Sequence, residues 1–367
     1  MHCSHVSHHT RPHRLVSASP NRLLNTEQHN TMPFSDIIGH QDAKTKLRGI
    51  LARDHLAHAY LFYGDDAIGK RRMGLCFAQA FVCESTTEQC PTQDPCGHCR
   101  GCQQLEQGLH PDTLLIEPDR EKANPQITID RVRDLEHHTL YRPLYGWKKV
   151  CLINDADCLT LGAANALLKT LEEPPLYSLF ILITSKPSAL PATIRSRCLA
   201  LRFASPSTSD VEGALALKRA MPESDARFLA RLSNRRIGQA LEANLEEARA
   251  TQEEFFSLVS GTALQSVAQI FDTTERLAKA GRIPEALDWL THALRDLLLV
   301  SLDVNPQLIL DRDHMSGLQR LVALTTPEAL INLIEELQGL ERSRSRNVNL
   351  QLGLENFFLK LRGAIPV

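Results

Sequence analysis

No run of about 18 apolar residues occurs anywhere in this chain of 367 residues, so no segment reads as a transmembrane helix. The N-terminus also lacks the apolar stretch that forms the core of a signal peptide; export is not supported, and a cytoplasmic location is expected. A basic surplus is missing too. The 41 Lys and Arg against 43 Asp and Glu leave a net charge of −2, whereas a free-standing nucleic-acid binder usually shows a strong positive excess. Any contact with DNA would then be made as part of an assembly. What the chain does have is 43% hydrophobic content, enough at this length for two or three domains, each with its own core. Its ten cysteines do not suit disulfides in a reducing compartment, and their crowding near residues 83–102 raises a metal site instead.

Residues 1–31 hold six of the fifteen histidines among Ser, Asn, Thr and Pro, without apolar periodicity, and read as part of a disordered extension over 1–32. Folded sequence is expected from Met32-Pro33-Phe34 onward. There, short β-rich apolar runs alternate with helical periodicity, which predicts an α/β domain with a parallel sheet and helices on both faces. Strands are expected at Ala59–Tyr63, Thr113–Glu117, Val150–Asn154, Leu179–Thr184 and Leu199–Phe203, and helices at roughly 42–53, 70–82, 129–140 and 160–172. The segment Ala204–Ser209 breaks the alternation. Beyond it only helical periodicity remains: a small unit at about 208–246, then stripes such as Leu287, Leu290, Leu294, Leu297 and Leu298 that predict the core-facing sides of a bundle.

The run Gly64-Asp65-Asp66-Ala67-Ile68-Gly69-Lys70-Arg71 follows a strand and opens a helix. That is the context of a P-loop, whose backbone N–H groups and lysine cradle phosphates. The position after the lysine should offer a Ser or Thr hydroxyl to Mg²⁺, and Arg71 has none to give. The strand ending at Asn154 should end in an acidic metal ligand, and Asp155 stands where a longer Glu usually orients the attacking water. Phosphoryl transfer depends on metal and positioning, so the loss of both metal contacts predicts loss of most turnover. Asp155 and Asp157 leave room for weak Mg²⁺ binding, or for the plainer role of capping the next helix. The degenerate ATP site would comprise Gly64, Gly69, Lys70, Asp155 and Thr184. Arg197, between Ser196 and Cys198 in the loop after the strand Leu179–Thr184, is placed to project from a subunit edge. An arginine finger given in trans raises phosphoryl transfer by about 10³–10⁵ and needs no ATP bound to its donor, although an isolated arginine is more often an ordinary surface residue.

The segment Cys96-Gly97-His98-Cys99-Arg100-Gly101-Cys102 supplies three thiols at two-residue intervals, with Cys83 or Cys90 as a fourth. Four thiolates close a tetrahedral structural zinc shell that leaves no place for water. The surrounding Pro, Gly, Gln and Asp make no core, which argues against unligated buried thiols. An iron–sulfur cluster is the chemical rival, but Glu106 stands where a further cysteine would come, and no Cys-Pro follows the knuckle. His98 reads as a bystander, and Cys3, Cys76, Cys151, Cys158 and Cys198 have no expected metal role. As a DNA-binding module the knuckle lacks a dense Lys/Arg cluster and interleaved aromatics. Arg342, Arg344 and Arg346 form the only compact basic run elsewhere, and they read as a solvated helix face.

The order Phe34–Gln41, His58-Ala59-Tyr60-Leu61, the P-loop, the cysteine knuckle, Asn165-Ala166-Leu167-Leu168-Lys169-Thr170-Leu171-Glu172-Glu173-Pro174-Pro175 and Ser196-Arg197-Cys198 resembles the clamp-loader branch of the AAA+ family, over essentially residues 33–363. The Asn165–Pro175 run is specific to this branch, but its ATPase and non-ATPase subunits share it. The resemblance implies an α/β AAA+ P-loop domain over 33–204 with a zinc knuckle at 83–102, a three-helix lid over 205–248, and an all-α collar domain over 249–367. It further implies a five-subunit ring with gamma or tau and delta subunits that acts on a sliding clamp and primer-template DNA, and it favours Cys83 over Cys90. Three features select a non-catalytic ring member that serves a neighbour's ATP through Arg197. They are the degenerate nucleotide motifs, Gly238 in Ser233–Leu241 where an active ATPase would place an arginine, and an end in one helical domain without a long tail. The rival expectation is an active clamp-loader ATPase that works through Lys70 and Asp155.

Overall fold

Five β-rich apolar runs form one parallel sheet, and those at its centre are covered on both sides, as uninterrupted apolar residues require. Its strands are β1 (Ala59–Tyr63), β2 (Thr113–Ile116), β3 (Lys149–Ile153), β4 (Ser178–Thr184) and β5 (Leu199–Arg202), in the order β2-β3-β4-β1-β5. The computed structural model describes residues 34–52, 56–85, 94–120, 125–261, 264–343 and 349–365. The expected extension over 1–32, together with Cys90, Arg344 and Arg346, lies outside the described residues.

Strands β3 and β4 are buried along their whole length. Along β4, Leu179 and Ile181 fall into one core while Phe180 and Leu182 fall into the other, as the two-residue period of a strand requires. The first core is rich in aromatics, with Phe34, Phe62, Phe77, Phe81 and Phe203 packed under the helices Gln41–Leu51 and Lys70–Val82. The second joins the sheet to the helices Ile129–Thr139 and Leu161–Glu172 through Leu135, Leu167 and Leu171. Three strands stop one residue before their expected ends, so Glu117, Asn154 and Phe203 stand on the loops just past the sheet. This matters because the crevice beyond the carboxyl ends of the strands is where open α/β sheets build their sites.

One helix had no apolar stripe to announce it. Arg100–Glu106 is started by Cys99, whose Sγ accepts the N–H of Cys102. It lies so close to the end of the helix Lys70–Val82 that a Cβ on Gly101 would come within 2.1 Å of the Val82 carbonyl oxygen.

The rest of the chain is helical. The helices Thr208–Arg219, Glu223–Leu232 and Ile237–Glu242 are followed by Leu245–Val259, Val267–Lys279, Ile283–Ser301, Met315–Val322, Pro327–Ser343 and Leu350–Ala364. Ser207 with Asp210, and Ser266 with Gln269, form capping boxes that fix the starts of two of them. A continuous apolar cluster runs from Val211 to Ile365, and the stripe Leu287, Leu290, Leu294 and Leu297 is buried within it. No described helix is long and apolar enough to cross a membrane.

Candidate functional site

The turn after β1 reverses the chain at the carboxyl end of the sheet, and two glycines make that possible. Gly64 has a φ of 153° and sits where a Cβ would come within 2.2 Å of the Phe203 carbonyl oxygen, and Gly69 has a φ of 103° immediately before the helix begins at Lys70. Lys70 is buried and folds back on this loop, donating to the Gly64 carbonyl at 3.0 Å and to the Asp65 carbonyl. Desolvation lowers its pKa, opposed by the nearby carboxylates of Asp66 and Asp155. His40 bonds the Ile68 carbonyl through Nε2 at 2.6 Å. The main-chain N–H of Gly238 donates to the Ala67 carbonyl at 3.1 Å, so the segment Ser233–Leu241 rests directly on the loop.

The two positions expected to face a magnesium ion converge instead on Glu117. Arg71 donates from Nε to Glu117 Oε1 at 2.8 Å and from Nη2 to Oε2 at 3.2 Å, and Asn154 Nδ2 donates to the same Oε1 at 3.0 Å. Asp155 adopts a left-handed conformation with φ 50° and pairs with Arg120 Nη2 at 2.7 Å. Burial raises the Asp155 pKa, while Arg120 pulls it back. Thr184 Oγ1 donates to Asp157 Oδ1 at 2.6 Å. Neither aspartate caps the next helix, because Thr160 does so by accepting the Ala163 N–H at 3.2 Å. Gly64 and Gly69 lie on the turn after β1, Lys70 opens the helix that follows, Asp155 comes just after β3 and Thr184 ends β4, all at the carboxyl end of the sheet. Where a hydroxyl and a carboxylate are expected to face Mg²⁺, the chain has the Arg71 guanidinium and the Asn154 amide, and the amide turns its Nδ2 to Glu117. Sequence reasoning singled out neither Glu117 nor Arg120, since each reaches its partner across 46 or 35 residues and belongs to no motif.

Arg197 lies between the short helix Ala192–Arg195 and β5, an edge strand on which Leu199, Ala200 and Arg202 are exposed. Its Nη1 donates to the Thr193 carbonyl at 3.0 Å, and its Nη2 pairs with Glu172 Oε1 at 2.7 Å. Strand β5 runs parallel to β1, with Leu199 opposite Tyr60 and Arg202 opposite Tyr63. Arg197, two residues before Leu199, is therefore level with His58 and six residues short of Gly64. The turn that carries Arg197 thus stands at the amino end of β5, whereas Gly64 follows the carboxyl end of β1.

The thiols gather at the far end of the helix Lys70–Val82. Cys83 at the end of Lys70–Val82 meets Cys96, Cys99 and Cys102 with all four sulfur atoms within 4.8 Å of one another. Amide N–H groups point at these sulfurs: Cys96 to Cys83 at 3.3 Å, Cys99 to Cys96 at 3.3 Å, and both Cys102 and Glu84 to Cys99 at 3.4 Å. Hydrogen bonding from Cys102 holds the Cys83 thiol well below the ordinary thiol range. A closed set of four thiolates braced by amide donors could hold a zinc ion. The ring of His98 turns away to bond the Cys96 carbonyl at 2.8 Å. Cys76, Cys151, Cys158 and Cys198 lie outside the cluster, and burial pushes the thiols of Cys76, Cys151 and Cys198 up.

Two family models match the chain. One, described as DNA polymerase III, delta subunit, covers residues 39–207, and the other, described as DNA polymerase III, delta subunit, C terminal, covers residues 250–363. A DNA polymerase III subunit delta' from Bacillus subtilis is 30% identical over 318 residues, which is 85% of this chain and 93% of that protein. The subunit delta' from Pseudomonas aeruginosa is 36% identical over 205 residues, 56% of this chain and 60% of that protein. A subunit tau/gamma from Haemophilus influenzae is 40% identical over 166 residues, 45% of this chain and 23% of that protein. The alignment therefore spans less than two thirds of the Pseudomonas and Haemophilus relatives.

Proposed function

We propose, from the premise that this chain belongs to the DNA polymerase III delta-prime family, that it is a clamp-loader ring member which lends Arg197 to a neighbour's ATP and hydrolyses none itself. The observation that carries this reading is the parallel register of β1 and β5, which sets Arg197 at the far end of the sheet from the chain's own P-loop. An arginine at the opposite end of the sheet from its own cradle is placed to serve a phosphate that another subunit holds. The edge position of β5 supports the same assignment, because an edge strand with exposed Leu199 and Ala200 is a natural seam between subunits.

The partners that follow are gamma or tau and delta subunits in a five-subunit ring that places a sliding clamp on primer-template DNA. The chain is then a component of the DNA polymerase III holoenzyme, a nucleotidyltransferase complex, without being its enzyme. Cys83, Cys96, Cys99 and Cys102 hold a structural zinc ion in this reading. The domains are an α/β part over 33–204, a lid over 205–248 and a collar over 249–367.

The test is Arg197→Ala in a reconstituted complex, with DNA-stimulated ATP hydrolysis and assembly by gel filtration read side by side. A finger contributes about 10³–10⁵ to turnover at the one site it faces, so the expected bulk loss is that site's whole share of the rate. Arg197→Lys should restore little, because an ammonium group lacks the planar fork of a guanidinium. An intact complex with unchanged hydrolysis sinks the reading.

A further inference from the structure

A divalent cation is the expected companion of nucleotide at a P-loop, and the residues found here do not fit one. Magnesium seeks hydroxyl, carboxylate or carbonyl oxygens. Of the two positions that would face it, Arg71 brings a positive charge and Asn154 directs its Nδ2 at Glu117. Glu117 has both oxygens engaged, Oε1 by Arg71 Nε at 2.8 Å and by Asn154 at 3.0 Å, and Oε2 by Arg71 Nη2 at 3.2 Å. A bidentate guanidinium–carboxylate pair combines charge with a fixed geometry, so a metal ion could take the Glu117 oxygens only by displacing Arg71. Asp155 is likewise engaged, by Arg120 at 2.7 Å. The Arg71 and Glu117 side chains remain 37% and 22% exposed, so water and ions reach the pair. Closure does not bar a metal here; the oxygens it would need are already engaged.

We infer that Arg71 is the built-in cation of this site: its guanidinium takes the charge role of the divalent ion, holds Glu117 and Asn154 around itself, and excludes magnesium. The cradle then keeps its form with neither metal nor phosphate bound. This assignment stands apart from the trans role of Arg197, because it concerns only the carboxyl end of the sheet and is tested on the isolated chain.

The probe is Mn²⁺, added to the full zinc-loaded chain in metal-free buffer without chelator, so that the thiol cluster is left undisturbed. Uptake is followed by the electron paramagnetic resonance signal of the free ion, with and without ATP. The wild-type chain is expected to take up no Mn²⁺ beyond what free ATP holds. The double variant Arg71→Ser with Asn154→Asp is expected to bind Mn²⁺ in the presence of ATP at least about tenfold more tightly, with a melting temperature that rises as Mn²⁺ is added. Arg71→Gln, which keeps a planar hydrogen-bonding head and drops the charge, is the milder second variant and is expected to gain Mn²⁺ binding as well. A wild-type chain that binds one Mn²⁺ with ATP and loses it in Glu117→Gln overturns the inference. So does a folded variant at Arg71 that binds Mn²⁺ no better than the wild type.

Discussion

Cys83 and Cys96 are thirteen residues apart along the chain, yet an amide of one bonds the sulfur of the other. Three of the four clustered thiols were legible from two-residue spacing alone. The fourth was not, because spacing left Cys83 and Cys90 equivalent, and only the end of the helix Lys70–Val82 brings Cys83 to the others. Cys83→Ser is expected to lower bound zinc from about one equivalent to well below it and to depress the melting temperature, checked by metal analysis and calorimetry on the same sample. A fully zinc-loaded, equally stable variant contradicts the assignment of this ligand. The partners of the motif residues were less legible still. Glu172 sits in the Asn165–Pro175 run, but its pairing with Arg197 crosses 25 residues and depends on how the short helix Ala192–Arg195 turns.

Among the elements, the helix Ile283–Ser301 shows how an apolar stripe can conceal a charged group. Asp296 lies on its buried side, fully inaccessible, accepting the N–H groups of Leu310 and Asp311 through Oδ2 at 2.9 and 2.8 Å. Among the described residues its Oδ1 finds no hydrogen-bond partner, although Arg295 approaches to 3.5 Å. Burial outweighs both N–H bonds and raises the Asp296 pKa to about 6. An acid with a raised folded pKa is penalised once it ionises. Between the unfolded value and about 6 the unfolded chain gives up its proton while the folded chain keeps it, so stability falls as pH rises, and above that the full cost persists. Asn in place of Asp296 still offers an oxygen to both amides and removes the charge. Asp296→Asn is therefore expected to stabilise the isolated chain by roughly 1–3 kcal/mol at neutral pH, with the gain vanishing below about pH 4. Denaturant midpoints measured across pH test the sign, and a variant that is destabilised at pH 8 refutes it. Strand ends mattered more than helix ends for the site. A boundary drawn one residue late put Glu117 and Asn154 inside the sheet, whereas on the loops beyond it they face each other.

Across the whole molecule, a parallel sheet separates two chemistries. Loops after the strands hold the cradle, and the turn before β5 holds Arg197, so no motion confined to side chains joins them. The isolated chain is accordingly expected to show no magnesium-dependent ATP hydrolysis, and Lys70→Ala should leave that baseline where it is. Appreciable turnover abolished by Lys70→Ala would return the chain to the active ATPases. The pair between Arg197 and Glu172 is partly exposed, at 34% and 51%, and such surface pairs contribute little to stability. Arg197→Ala should then leave the unfolding free energy of the isolated chain within about 0.5 kcal/mol of wild type, which separates loss of a finger from loss of fold.

The one-dimensional order of residues determined the α/β pattern, the helical second half, the P-loop with Arg71 in the wrong place for metal, the Ser196-Arg197-Cys198 run and the thiol spacing. All of these rest on local periodicity or on neighbours a few residues apart, where backbone geometry leaves little choice. Tertiary structure alone decided that Glu117 would gather Arg71 and Asn154, that Gly238 would sit on the Ala67 carbonyl, and that Arg197 would pair with Glu172 at the amino end of β5. Contacts of that kind are set by strand order and packing over dozens of residues, and no local pattern encodes them.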